Sequence, residues 1–164
     1  MSRRVSSSLL VALIVLVWAP SAYPKGSPDQ ITITGGGLPC PIVVTDGETL
    51  EAFDPWRGQF INWQRDPVGE TPHGGEPYAV FFYLQSQDGD LRMIYALQYI
   101  PGRRGGRGYV YLPGEGERYY ALNVGTISRT GADGKWNSAS AKWDALLKRV
   151  LTAKGSSGTG PSRR

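Results

Sequence analysis

The chain has 164 residues, a formal charge of +4, one cysteine and one histidine. One cysteine excludes an internal disulfide, and one histidine excludes a metal centre built on several imidazoles. The charge does not point to nucleic acid: from Gln30 to Ala153 twelve Lys and Arg stand against thirteen Asp and Glu, a net of −1, and phosphate binding needs a basic footprint on the folded part.

The first element is an export signal. "MSRRVSSSLLVALIVLVWAPSA" places Arg3 and Arg4 before a serine spacer and an apolar run from Leu9 to Ala19, which is the layout of a secretory leader. The run is too short for a bilayer-spanning helix, which needs roughly 20 residues. Cleavage is expected after Ala22, leaving no transmembrane segment and a secreted, periplasmic or envelope protein. Ser6 and Ser7 stand where a twin-arginine signal usually has a hydrophobic pair, so the general route is expected.

Residues 23–29 read as a disordered lead-in, and residues 30–154 as one domain, since about 120 residues can bury a core without staples. "ITIT" and "PIVVT" around "GGGLPCP" predict a hairpin. Cys40, held between two prolines, is expected to be a buried, reduced thiol. Thr45 and Glu48 have capping-box spacing, so a short helix should start there and end before Pro55, burying Leu50 and Phe53. "WRGQFINWQ" is apolar enough to pack on the core, and "RDPVGETPHGGEP" reads as a surface loop.

"YAVFFYLQ" and "LRMIYALQYI" predict two strands joined by "SQDGD", where Asp88-Gly89 is a hairpin signal. "YVYLP" and "RYYALNVGTI" complete an expected four-stranded meander. Ser140 should cap a last helix whose stripe is Trp143, Leu146, Leu147, Val150 and Leu151. Gly155 should end it, with residues 155–164 as a disordered tail. The expected fold is α+β: an antiparallel sheet with helices on one face.

Chemistry-bearing residues are sparse. His73 lies in a Gly/Pro loop with no serine in a G-x-S-x-G context, so no catalytic residue is assigned. "DGD" at 88–90 lacks the further oxygen ligands of a calcium loop. No metal or organic cofactor is expected. Eight of the nine tyrosines fall between Tyr78 and Tyr120. Counting back from a five-residue turn pairs Gln85 with Leu91, Tyr83 with Met93 and Phe81 with Tyr95, which collects the tyrosines opposite an aliphatic helix face. Tyr95, Tyr99, Tyr109 and Tyr111 are then candidates for ligand binding, because tyrosine combines a flat apolar ring with a hydroxyl; the alternative is that these rings pack the back of the sheet beneath the 64–77 loop and the first hairpin. The "GRRGGRG" loop beside them adds Arg103, Arg104 and Arg107 for anionic groups.

"YVYLPGEGERYYALNVGTISR", "GKWNSASAKWDALLKRV" and "ITITGGGLPCPIVVTD" resemble a group of uncharacterised exported bacterial proteins. Ala141 stands where that group is expected to have proline, a departure that bears on the helix start alone. The resemblance implies no activity, cofactor or catalytic residue. The expected function is non-catalytic binding, with a cell-envelope glycan or other surface polymer as ligand. An interaction or inhibitor protein with an exported partner, and a small hydrolase using carboxylates, stand as alternatives.

Overall fold

A computed structural model describes residues 27–127 and 131–155, without the side chains of Arg104 and Lys154. The expected leader, residues 1–22, and residues 156–164 of the expected tail lie outside the described residues. The fold is α+β, and the described residues form one antiparallel sheet of six strands and three helices.

Strands β1 (Gln30–Gly35) and β2 (Ile42–Val44) form the first hairpin, with Ile31 opposite Val44 and Ile33 opposite Ile42. β3 (Tyr78–Gln85) and β4 (Leu91–Ile100) form the second, and β5 (Tyr109–Leu112) and β6 (Lys135–Ser138) complete the order β2-β1-β3-β4-β5-β6. The lead-in is attached at its end: Pro28 is buried, and Asp29 donates its N–H to the Tyr83 carbonyl at 2.9 Å and accepts from the Gln85 N–H at 2.7 Å.

Helix α1 (Gly47–Ala52) starts one residue later than the capping box implies. Its cap is Asp46, whose carboxylate accepts the Thr49 N–H at 2.9 Å, and not Thr45. Leu50 and Phe53 are buried as expected, and so are Phe60 and Ile61, while Trp63 is half exposed. Helix α3 (Ala141–Gly155) follows Ser140, whose Oγ accepts the Trp143 N–H at 3.3 Å.

The core lies between one sheet face and the layer made by α1, residues 55–61 and α3. Trp143 is its hub, with Phe53 at 5.5 Å, Tyr99 at 5.6 Å and Phe60 at 6.3 Å between ring centroids. Edge-to-face contacts of this kind add about 0.5–1.5 kcal/mol each beyond area burial.

Three expectations fail, for physical reasons. First, the β3–β4 register runs Gln85–Leu91, Leu84–Arg92 and Tyr83–Met93 as counted, then shifts so that Phe82 faces Tyr95 and Phe81 faces Ala96. Ile94 is the extra residue of a β-bulge, and one extra residue exchanges the faces of everything after it. Tyr95 and Tyr99 are therefore fully buried on the helix face beside Phe82.

Second, "RYYALNVGTI" is not a strand. Tyr120–Thr126 form helix α2, and the last strand of the sheet is β6. β5 pairs only with Gln98, Tyr99 and Ile100 of β4, so the edge of β4 before Gln98 is covered by α2 instead. There the Asn123 amide accepts the Ala96 N–H at 2.9 Å and donates to the Ala96 carbonyl at 2.7 Å, while the Thr126 hydroxyl donates to the Ile94 carbonyl.

Third, Cys40 is a free and exposed thiol, not a buried one. It lies in the turn between β1 and β2, where the prolines on either side are exposed as well.

Candidate functional site

The face of the sheet turned away from α1 and α3 carries the side chains that alternate with the core positions. On β5 the alternation is regular: Val110 and Leu112 are buried, Tyr109 and Tyr111 half-buried. Beside them on this face lie Gln98 and Ala96 of β4, Ala79 and Phe81 of β3, and Trp136 and Ser138 of β6, by the observed register. An aromatic face exists, with Phe81 and Trp136 in place of Tyr95 and Tyr99.

A groove of about 400 Å³ opens on this face, walled by Phe81, Tyr111, Tyr119 and Arg118, with Ala96 and Gln98 among its lining residues. Tyr119, the N-cap of α2, supplies one wall from an unusual backbone. Its φ of 74° is the only positive value at a non-glycine among the described residues. A bulky residue in the left-handed region costs on the order of 1–3 kcal/mol and persists only where the surroundings impose it. Here the Phe81 ring meets Tyr119 edge-on at 5.6 Å, the Arg118 guanidinium lies 4.8 Å above the ring, and the Tyr119 carbonyl accepts the Asn123 N–H at 2.9 Å.

The opposite wall is fixed by Glu117. Its carboxylate accepts the Tyr111 hydroxyl at 2.8 and 2.9 Å and the Gly114 N–H at 2.8 Å, so the "PGEGE" turn and the phenol hold each other. The Trp136 ring stands 5.2 Å from the Tyr111 ring on the other side. Burial, then the Glu117 hydrogen bond and charge, push the Tyr111 hydroxyl up to about 12. A pKa raised by folding contributes stability that is complete below the ordinary tyrosine value of about 10 and is lost as pH climbs toward about 12. Tyr111→Phe should therefore flatten the loss of stability between those pH values. Chemical denaturation of both proteins at stepped alkaline pH checks this, and parallel curves would contradict it.

Beyond Tyr109 a second groove, of about 500 Å³, includes Arg65, His73, Arg103 and Arg107 in its lining. The backbone that presents Arg103 and Arg107 is anchored. Lys148 of α3 donates to the Gly106 carbonyl at 2.7 Å, the Gly106 N–H bonds the Arg103 carbonyl at 2.8 Å, and Asp144 accepts the Gly108 N–H at 2.9 Å. Asp144 also accepts the Tyr99 hydroxyl at 2.6 Å and pairs with Lys148 at 2.8 Å. Burial, followed by this hydrogen bond, drives the Tyr99 pKa far above its ordinary value, so Tyr99 stays a neutral donor. A methyl at Gly108 would stand 2.6 Å from the Asp144 carboxylate, so the close approach requires glycine.

Of the residues expected to bind, Tyr109, Arg103 and Arg107 line one groove and Tyr111 the other. Tyr95 and Tyr99 belong to the core, and the Arg104 side chain lies outside the described residues. Arg118 and Tyr119 are groove residues that the sequence does not announce, because both lie in a segment whose composition favours a strand. Nor does it announce Trp136, because β6 shows a single large apolar residue. Among the described residues no group of three or more His, Cys, Asp or Glu stands close enough to hold a metal ion, and no helix is long and apolar enough to cross a membrane. No protein-family model matches the chain, and neither a curated protein nor a solved structure does.

Proposed function

We propose that this is an exported, non-catalytic binding protein of the bacterial cell envelope, and that a glycan chain lies across the sheet face formed by β3, β4 and β5. Export rests on the sequence layout of Arg3, Arg4 and the Leu9–Ala19 run. The observation that carries the binding reading is the groove walled by Phe81, Tyr111 and Tyr119, with a strained backbone at Tyr119. Flat rings suit the apolar faces of sugars, Gln98 and Arg118 suit their hydroxyls, and rigid aromatics lose little side-chain entropy on binding. The carboxylate in this groove, Glu117, already accepts the Tyr111 hydroxyl and the Gly114 N–H, which suits positioning.

Tyr119→Gly tests this reading cleanly. It removes the ring but gives the backbone a residue at ease with positive φ. Relief of strain offsets the lost contact with Phe81, so the melting temperature should stay within a few degrees. Retention on purified peptidoglycan and on a neutral insoluble glucan should fall about 5- to 10-fold, the equivalent of one aromatic contact of about 1 kcal/mol. Phe81→Ala should act in the same direction. Absence of retention of the native protein on both polymers, or unchanged retention of both variants, would end the proposal.

A further inference from the structure

The aromatic groove does not stand alone on its face. Tyr111 lines it, and Tyr109, two residues back on the same side of β5, lines the groove of Arg65, Arg103, Arg107 and His73. Two residues along a strand span about 7 Å, so a single extended chain can occupy both. The second groove has one carboxylate, Glu70, against three guanidiniums. None of these arginines is engaged by an acid among the described residues. The concentration is local: residues 30–153 together carry thirteen acids against twelve bases.

A scattered basic surface would be solvated and mobile, but the presenting turn here is fixed at Gly106 by Lys148 and at Gly108 by Asp144. Anchoring the backbone lowers the entropy lost when the guanidiniums close on a ligand. Arginine forks match carboxylate and phosphate oxygens two at a time, which favours anions over neutral hydroxyls.

We infer that the glycan is acidic: its carboxylate or phosphate is held by Arg65, Arg103 and Arg107 while a neighbouring sugar ring stacks between Phe81, Tyr111 and Tyr119. This rests on the binding function proposed above and names the class of its ligand. A uronic acid and a sugar phosphodiester share the required chemistry.

Three probes separate the possibilities: an oligogalacturonate, the same oligomer fully methyl-esterified, and a poly(hexose 1-phosphate). The native protein should bind at least one anionic probe about 10-fold or more tightly than the ester, with the preference shrinking as salt is raised. Arg103→Ala with Arg107→Ala, both exposed positions, should erase that preference and leave the weak binding of the ester unchanged. Tyr119→Gly should weaken acid and ester alike. Tight binding of the phosphate polymer alone identifies phosphate as the anion, and of the uronate alone, carboxylate.

Equal binding of acid and ester, or a preference that survives the arginine changes, overturns the inference and leaves the glycan reading standing. Failure of all three probes to bind overturns it as well. Equally tight binding of a single-stranded oligonucleotide of matched charge also overturns it, since the groove would then recognise charge alone. Insensitivity of all binding to Tyr119→Gly and Phe81→Ala refutes the glycan reading itself.

Discussion

Asp144→Ala is expected to destabilise the protein by about 3–5 kcal/mol, the range for breaking a buried ion pair from one side. In the sequence Asp144 and Lys148 look like a surface pair four residues apart on a helix, worth about 0.2–0.5 kcal/mol. The fold changes their weight. Asp144 is only 7% exposed, and its carboxylate serves three donors: the Tyr99 hydroxyl, the Gly108 N–H and the Lys148 ammonium. Removing it leaves a buried phenol and a buried amide without an acceptor, each costing about 1–3 kcal/mol. Lys148 would keep only its bond to the Gly106 carbonyl. For a domain of this size the melting temperature should fall by about 10–20 °C. Asp144→Asn, which keeps an acceptor but not the charge, should lie between the two. A shift under about 3 °C for the alanine variant would show that the carboxylate is not the tie between α3, β4 and the arginine turn.

Strands β1 to β5 and the last helix were legible because their signals are local. Alternation in "YAVFFYLQ" and "LRMIYALQYI", Gly89 in its turn, and the stripe from Trp143 to Leu151 each depend on neighbours within a few residues. The turn-based register held as far as Tyr83 and Met93 and then failed at Ile94, because no residue type announces a bulge. That one residue moved Tyr95 and Tyr99 from the candidate surface into the core and put Phe81 beside Ala96. The candidate site was thus half legible. Tyr109 and Tyr111 share one side of β5 as its alternation implies, since β5 is short and regular, and Arg103 and Arg107 line the groove beside Tyr109. Arg118, Tyr119 and Trp136 were hidden by the exchange of α2 and β6. β6 carries one large apolar residue, and its identity as a strand comes from pairing with β5 and from a bridge between Trp136 and Val68.

The exchange has a measurable consequence at Asn123. α2 has seven residues, far below the roughly 12–15 that make an isolated helix even marginal in water. Its sequence offers a tyrosine, a valine and a threonine, and β propensity favours the strand reading. The helix stands because the β4 edge needs a partner that β5 does not reach. Asn123, 1% exposed, supplies one side-chain acceptor and one donor to the single residue Ala96, the same pair of bonds that a neighbouring strand would give. Asn123→Ala leaves the Ala96 N–H and C=O without those bonds, at about 1–3 kcal/mol each, so a total of about 2–6 kcal/mol is expected. Asn123→Asp distinguishes hydrogen bonding from packing, because it keeps shape and the acceptor for the Ala96 N–H. It sets a second carboxylate oxygen against the Ala96 carbonyl, however, and near neutral pH it should be at least as damaging as alanine. Amide exchange gives the local readout: protection at Ala96 should drop in the alanine variant by more than the change in global stability accounts for. If the aspartate variant is as stable as the native protein, or if Ala96 stays protected in the alanine variant, α2 does not substitute for a strand.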